Sequence, residues 1–163
     1  MDESFADPLP DLSLVPHAGG PGLVVLRSFG KFYGLAGVRL GFALGDPAII
    51  ERLTTMAGPW PVAGPALEIG AMALRDTAWA RATVDRLSRE MPRIDAMAQG
   101  FGWVLKGGTH LFRLYETPDA AAAQDHLGGH HIWSRIFPWS SRLIRLGLPG
   151  MESEWQRLAA ALT

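Results

Sequence analysis

The stretch VVLRSFGKFYGLAGVRLGF, residues 24–42, sets a lysine between aromatic residues and an arginine eight positions later, inside an otherwise apolar run. Of the 15 lysines and arginines in the chain, only two are lysines, Lys31 and Lys106. Burying an amine is costly, so a lysine in such a setting is usually kept neutral, paired or covalently used. We therefore predict a chemical role for Lys31 rather than a role as surface charge.

Apolar runs on both sides of this lysine predict two strands. Residues 22–29 and 37–45 are nearly continuously apolar, which is typical of strands buried on both faces in a parallel sheet. The prolines and glycines over 6–21 predict a loop before them. Because two such strands cannot cover their own faces, we infer that the chain begins inside a larger domain.

Three helices are predicted next. Asp46, followed by proline, is a typical N-cap for a helix that runs to about residue 56, and a second helix is expected over 65–74. Asp76 caps a longer helix, because apolar residues recur behind it at steps of four and three. This stripe consists of Ala80, Val84, Leu87, Met91, Ile94 and Ala98.

From residue 103 onward, short strands alternate with helices, a pattern that predicts a compact α+β unit. Strands are expected at 103–108, 109–116, 131–137 and 142–148, and helices at 119–126 and 152–162. The chain is thus predicted to consist of part of a large domain, a bridging helix and a small α+β domain, at 1–75, 76–102 and 103–163.

The composition excludes several classes of protein. A net charge of -1 without a cluster of basic residues argues against nucleic-acid binding, and no apolar run is long enough to span a membrane. The absence of cysteine removes disulfides and thiol chemistry, and a cytoplasmic location fits. The histidines at 110, 130 and 131 have no carboxylate or cysteine at ligand spacing, so no metal site is predicted.

Lys31 forms a chemically suggestive set with Ser28, three residues before it, and Arg39, eight residues after it. The amine can bond covalently to an aldehyde cofactor, while the hydroxyl and the guanidinium bind that cofactor's phosphate. A plainer interpretation makes Lys31 a surface loop residue and Arg39 a member of a strand-edge ion pair. Spacing alone does not separate the two.

The same stretch, residues 24–42, resembles the lysine segment of fold-type I pyridoxal-phosphate enzymes. Its likeness is to the histidinol-phosphate aminotransferase-like group of class I/II aminotransferases, and within it to the threonine-phosphate decarboxylases of cobalamin biosynthesis. Further family segments are resembled by DESFAD at 2–7, GPWPVAGPAL at 58–67 and RLIRLGLPGMESEWQRLAAAL at 142–162. The resemblance covers the chain as the C-terminal half of a family member. It implies an α/β fold of the aspartate aminotransferase-like kind, with the end of the large domain and the small α+β domain.

The resemblance assigns a role to each of four residues near the N-terminus, with pyridoxal 5'-phosphate as the cofactor. Lys31 is the catalytic lysine that bonds to the cofactor. Asp2 matches the aspartate that keeps the pyridine nitrogen protonated, although beside the terminal methionine it could also be simply solvated. Ser28 and Arg39 match phosphate ligands.

Two positions depart from the family pattern. Phe5 stands where transaminases of the family often carry a tyrosine that hydrogen-bonds the cofactor's phenolic oxygen, a bond that a phenyl ring cannot make. This change leans toward the decarboxylase branch. Gly30 stands where many relatives place a serine or threonine as a phosphate ligand, so one phosphate contact is missing.

Two arginines near the C-terminus match substrate ligands of the family. Arg145 corresponds to the arginine that binds the substrate's carboxylate, for which a planar, bidentate guanidinium suits better than an ammonium. Arg135 corresponds to a second arginine placed toward the substrate's distal phosphate or carboxylate. Each could instead form a surface ion pair. Two cationic groups suit a doubly anionic substrate such as a phosphorylated amino acid.

Three functions remain open at this point. The first is decarboxylation of L-threonine O-3-phosphate to (R)-1-amino-2-propanol phosphate, by a protein that is a homodimer when full length. The second keeps the cofactor but transfers an amino group, as in a histidinol-phosphate aminotransferase. The third is an inactive fragment that lacks the N-terminal half, and the chain alone is expected to be inactive.

Overall fold

The computed structural model describes residues 1–163 and divides into two compact units, Met1–Ala80 and Arg81–Thr163. The first unit holds strands β1 (Val24–Ser28) and β2 (Gly41–Gly45) and helices α1 (Pro47–Ala57) and α2 (Gly64–Arg75). Helix α3 (Thr77–Gly100) contains the boundary. The second unit continues with β3 (Val104–Thr109), β4 (Phe112–Glu116), α4 (Ala120–Gly129), β5 (Arg135–Phe137), β6 (Ser140–Gly147) and α5 (Glu152–Ala161). None of the helices has the length and apolar character needed to cross a membrane.

Strands β1 and β2 pair antiparallel, with Ser28 opposite Gly41, so the prediction of a parallel pair is wrong. Their connection contains only a short 3-10 turn, whereas parallel neighbours are usually joined through an α-helix. The predicted burial on both faces is also wrong, because Leu26 and Phe42 are 47% and 40% exposed. A parallel neighbour does exist: Asp2 forms a parallel bridge with Leu26.

The three predicted helices are confirmed as α1, α2 and α3. The Asp46 side chain accepts a hydrogen bond from the Ala48 N–H at 2.9 Å, and Asp76 accepts one from the Trp79 N–H at 2.9 Å. These two caps satisfy donors that a helix N-terminus otherwise leaves unpaired. None of the six residues of the predicted stripe is exposed, and three of them are buried, namely Leu87, Ile94 and Ala98.

In the second unit, four strands form an antiparallel sheet in the order β3-β4-β6-β5. One face packs on helices around a core that includes Ile94, Trp103, Tyr115, Ile144 and Trp155. The predicted strands and helices are confirmed, although β4 begins at Phe112 rather than at residue 109 and β5 begins at Arg135 rather than at residue 131. His131 has a positive φ of 59° and the N–H of Ile132 bonds to Leu127 at 2.9 Å, so these residues close α4 instead.

A polar cluster joins α3 to β4 within this unit. Asp95 accepts hydrogen bonds from Arg113 Nε and Nη2 at 2.9 and 2.7 Å, and from the Tyr115 hydroxyl at 2.7 Å. Burial, followed by the Asp95 carboxylate, raises the pKa of Tyr115 well above its ordinary value. The phenol therefore stays protonated and donates to Asp95 across the ordinary pH range.

Candidate active site

The N-terminal segment lies along β1 and thereby fixes Asp2. The terminal amine donates to the Val24 carbonyl at 2.7 Å, the Leu26 N–H donates to Met1, and the Glu3 N–H donates to Leu26, both at 2.9 Å. These bonds form a short parallel ladder. Asp2 is therefore part of the sheet edge beside β1, not a frayed terminal residue.

A buried carboxylate anchors this segment. Glu3 is only 5% exposed and accepts hydrogen bonds from the Ser13 hydroxyl at 2.7 Å and the Leu14 N–H at 2.6 Å. Arg27 of β1 lies 3.6 Å from Glu3 and 2.5 Å from Asp7. Burial alone would raise the pKa of Glu3, but the two hydrogen bonds and the charge of Arg27 outweigh it and lower that pKa.

The sequence interpretation missed this anchor. The sequence feature that could have predicted it is an arginine, Arg27, inside the apolar run of β1, together with an acidic N-terminal segment. A charged side chain within a half-buried strand needs a partner, and Glu3 and Asp7 supply it. Together the three side chains fasten the segment that carries Asp2 to the strand that leads to Lys31.

The loop after β1 is held by aromatic side chains. Phe29 and Phe32 are buried, Phe29 stacks on Tyr33 at 4.6 Å, and Phe32 packs edge-on against Trp79 at 5.4 Å. The Leu35 N–H closes the loop by donating to the Phe29 carbonyl at 2.9 Å. Aromatic pairs of this kind stabilise a structure beyond the burial of their apolar area. They therefore hold the loop in a defined conformation.

Lys31 lies at the tip of this loop and is exposed, because its aromatic neighbours turn inward. The expectation of a buried or half-buried amine is therefore wrong. The Lys31 ammonium lies over the ring of Phe5, 5.6 Å from its centroid, within the range of a cation–π contact. Phe5, which belongs to the N-terminal segment, thus helps to place Lys31.

Asp2 and Lys31 interact through their charges. The hydroxyl and then the N–H of Ser4, at 2.6 and 2.9 Å from Oδ1, lower the pKa of Asp2, and the charges of the terminal amine and of Lys31 lower it further. Asp2 is therefore a carboxylate at neutral pH. Within the first unit, the Lys31 amine is thus close enough to Asp2 for its charge to favour the ionised carboxylate.

Ser28 and Arg39 lie at the same end of the β1–β2 hairpin. The Ser28 hydroxyl accepts a hydrogen bond from the Gly30 N–H at 3.1 Å, which leaves its own proton available to an anion. A side chain at Gly30 would begin 3.3 Å from the Ser28 oxygen, so a serine or threonine there would crowd it. Exposed Arg39 forms no ion pair and donates only to the Ala36 carbonyl, at 2.9 Å.

Arg39 also has an unusual backbone conformation. Its φ of 57° and ψ of 39° place it in the left-handed region, where it ends a 3-10 turn, Ala36–Val38. A side chain with a Cβ costs about 1–2 kcal/mol in this region, and such residues concentrate at functional sites. Glycine would adopt this conformation without the Cβ penalty, so Arg39 is a candidate functional residue.

In the second unit, Arg135 and Arg145 are directly opposite each other on β5 and β6. Neither forms an ion pair, whereas four other arginines of the unit each pair with a carboxylate, namely Arg86, Arg93, Arg113 and Arg142. The Arg145 guanidinium lies over the ring of Phe112, 4.8 Å from its centroid.

The carboxylate on the neighbouring part of the sheet is already neutralised. Glu116 of β4 pairs with both Lys106 and Arg142, each at 3.1 Å. It therefore offers no counter-charge to Arg135 or Arg145. Arg135 and Arg145 lie opposite each other in the sheet and form no ion pair in this structure, so together they are a candidate anion site.

A family model described as "Aminotransferase class I and II" matches residues 2–161. Threonine-phosphate decarboxylase from Pseudomonas aeruginosa is 44% identical over 162 residues, which cover 99% of this chain and 49% of the relative. Threonine-phosphate decarboxylase from a Sinorhizobium species is 42% identical over 164 residues, covering 99% and 48%. The chain thus spans about half the length of the curated relatives it matches.

A solved structure shows the same fold. Histidinol-phosphate aminotransferase from Sinorhizobium meliloti, determined in complex with pyridoxal-5'-phosphate, superimposes with a TM-score of 0.81 at 24% identity. The match covers 99% of this chain and 46% of that one. The prediction of an α/β fold that corresponds to part of an aspartate aminotransferase-like enzyme is therefore confirmed.

Proposed function

The chain belongs to the class I and II aminotransferase family, and from that membership we propose that it carries the lysine-bearing part of a pyridoxal-phosphate-dependent decarboxylase. Its substrate is L-threonine O-3-phosphate and its product (R)-1-amino-2-propanol phosphate, a step of cobalamin biosynthesis. The relatives at 42% and 44% identity, both threonine-phosphate decarboxylases, support this choice.

The observation that carries the proposal is the pair of arginines without carboxylates, Arg135 and Arg145. A guanidinium binds a carboxylate or a phosphate through two parallel hydrogen bonds. L-threonine O-3-phosphate offers one carboxylate and one phosphate, and we assign the carboxylate to Arg145 and the phosphate to Arg135. Histidinol phosphate carries a phosphate but no carboxylate, so it would leave Arg145 without an anionic partner.

The residues of the first unit fit pyridoxal phosphate by their chemistry. Lys31 supplies an exposed primary amine for the aldehyde, and Asp2 supplies a carboxylate for the pyridine nitrogen. Ser28 and Arg39 supply a hydroxyl proton and a guanidinium, without competing carboxylates, for the phosphate. When bound, the cofactor supplies a protonated ring that takes up the electron pair released as a bond at the substrate Cα breaks.

Asp2 and Lys31 hold and transfer the protons of the reaction. Asp2, held ionised by Ser4 and Lys31, keeps the proton on the pyridine nitrogen because a neighbouring carboxylate raises the pKa of that nitrogen. Decarboxylation breaks the bond between Cα and the carboxylate carbon and releases carbon dioxide. Lys31, as an ammonium, donates the proton that the Cα takes up in its place, and is left as a neutral amine.

We also propose a domain division, an oligomeric state and a location for the protein. Residues 1–75 form the end of the large cofactor-binding domain, 76–102 the bridging helix and 103–163 the small domain. The active protein is a homodimer in the cytoplasm.

The test is a pair of assays on the gene product that contains this sequence, supplied with pyridoxal phosphate. We expect carbon dioxide release from L-threonine O-3-phosphate, and little 2-oxoglutarate-dependent amino transfer from histidinol phosphate. The reverse preference would replace the decarboxylase with an aminotransferase. Replacement of Lys31 by alanine is the control for cofactor-dependent turnover.

A further inference from the structure

Phe112 and Arg145 share one face of the sheet in the second unit. Phe112 of β4 is opposite Gly147 of β6, and Arg145, two residues before Gly147, is opposite Leu114. Side chains two residues apart on a strand point to the same face. Across this face, the Arg145 guanidinium lies over the Phe112 ring, 4.8 Å from the ring centroid.

This contact differs from the way the neighbouring arginine is held. Arg113, the next residue of β4, donates Nε and Nη2 to Asp95, so its hydrogen-bonding edge is occupied. Arg145 is instead contacted by an aromatic ring, and no carboxylate pairs with it. A ring attracts the face of a guanidinium, while all five N–H donors lie in the guanidinium plane. The contact therefore orients Arg145 without using its donors.

We propose that Phe112 is a positioning residue that holds Arg145 with its donor edge free for the substrate's carboxylate. The proposal rests on the proposed function, because it deepens the role given there to Arg145. A flexible arginine loses side-chain entropy when it binds an anion, and an arginine already held against a ring loses less. Loss of the ring should thus weaken anion binding although Arg145 is still present.

The experiment uses the 163-residue chain labelled with ¹⁵N and follows the Nε–Hε signals of its arginines during titration with L-threonine O-3-phosphate. In the unsubstituted chain, the Arg145 Hε signal should be displaced by the ring current of Phe112 and should shift further on titration. Phe112→Leu should abolish the displacement and weaken binding about twofold to thirtyfold, the range of one cation–π contact. Phe112→Tyr keeps the ring and should restore both properties.

Arg145→Gln separates this inference from the proposed function. If Arg145→Gln binds the phosphorylated amino acid as tightly as the unsubstituted chain, the anion site itself is wrong, and the inference falls with it. If Arg145→Gln weakens binding but Phe112→Leu does not, the anion site stands and Phe112 has no positioning role. Should Phe112→Leu fail to fold, Phe112→Met provides the same comparison against Phe112→Tyr.

Discussion

Arg135 of β5 and Arg145 of β6 occupy directly opposite positions in an antiparallel sheet, and neither has a carboxylate partner. Like charges at such positions destabilise a sheet by a few tenths of a kcal/mol to about 1 kcal/mol. The nearby carboxylate of Glu116 is shared by Lys106 and Arg142 and gives no relief. A bound anion would remove this repulsion, so binding and stability are linked at this position.

Arg135→Gln should therefore stabilise the chain when no anion is present. Removal of one facing charge should raise the free energy of unfolding by about 0.2–1 kcal/mol at low salt, and the gain should shrink as salt screens the charges. Urea denaturation at two ionic strengths measures this. Arg142→Gln is the matched control and should give no gain, since Arg142 pairs with Glu116. A loss of stability in Arg135→Gln would show that its charge is locally compensated.

Arg145→Lys should lose activity through recognition of the substrate. An ammonium cannot form two parallel hydrogen bonds to a carboxylate, and loss of a charged hydrogen bond costs about 1.5–3 kcal/mol. We expect kcat/KM for L-threonine O-3-phosphate to fall by roughly one to two decades. Steady-state kinetics of the gene product check this, with Arg142→Lys as control. An unchanged kcat/KM would remove Arg145 from the substrate site, and an equal loss of cofactor binding would make it structural.

The sequence predicted most of the secondary structure, because its signals were local. Asp46 and Asp76 each cap a helix, and the periodic apolar residues of α3 are buried or half-buried. Pairing of β1 with β2 was predicted wrongly because continuous apolar runs do not distinguish a buried parallel pair from an antiparallel hairpin whose outer residues are exposed.

The candidate site was predictable as a set of residues but not as a set of contacts. The lysine motif identified Lys31, Ser28 and Arg39, yet the exposure of Lys31 depends on how its aromatic neighbours pack. The opposite placement of Arg135 and Arg145 depends on strand register, which a one-residue slip would change. Long-range packing and register are therefore what the sequence left undetermined.

In the complete protein, Lys31 should carry the cofactor covalently, and a second lysine of the same chain allows an internal comparison. Its other lysine, Lys106, pairs with Glu116 on the sheet of the second unit. Borohydride reduction in the presence of pyridoxal phosphate, followed by peptide mass mapping, should place the pyridoxyl group on Lys31. Predominant label on Lys106 would contradict the assignment.

The 163-residue chain by itself should bind the cofactor weakly and show no turnover. Lys31, Asp2 and Arg39 are all exposed, and exposed charges are screened by water and salt. Titration with pyridoxal phosphate, followed by near-ultraviolet and visible absorbance, measures the binding. A stable one-to-one absorbance band together with carbon dioxide release would show that these residues suffice.

Arg39→Gly should separate the backbone of this position from its guanidinium. Glycine accepts the positive φ of 57° without a Cβ penalty, so the free energy of unfolding should stay within about 1 kcal/mol of the unsubstituted chain. Cofactor affinity should nevertheless fall by roughly one to two decades, because a charged phosphate ligand is lost. Arg39→Ala should lose cofactor affinity to the same extent. Because alanine keeps a Cβ at the unfavourable φ, this variant should also be less stable than Arg39→Gly. Unchanged affinity in both variants would make Arg39 a residue of the turn alone.

Glu3→Gln should loosen the segment that carries Asp2 and reduce the acid sensitivity of the chain. The pKa of Glu3 is lowered in the folded state below its ordinary value of 4.5, so its contribution to stability is fully present above pH 4.5. That contribution is lost as the pH falls from 4.5 through the lowered pKa.

At pH 7 the variant should unfold more easily by about 1–3 kcal/mol, because Arg27 loses one partner and Ser13 and Leu14 lose a charged acceptor. Urea denaturation at neutral and acidic pH should show a smaller loss of stability on acidification in Glu3→Gln than in the unsubstituted chain. Glu51→Gln, at an exposed position of α1, should leave the acid dependence unchanged, and an equal effect of both variants would mean that Glu3 is no anchor.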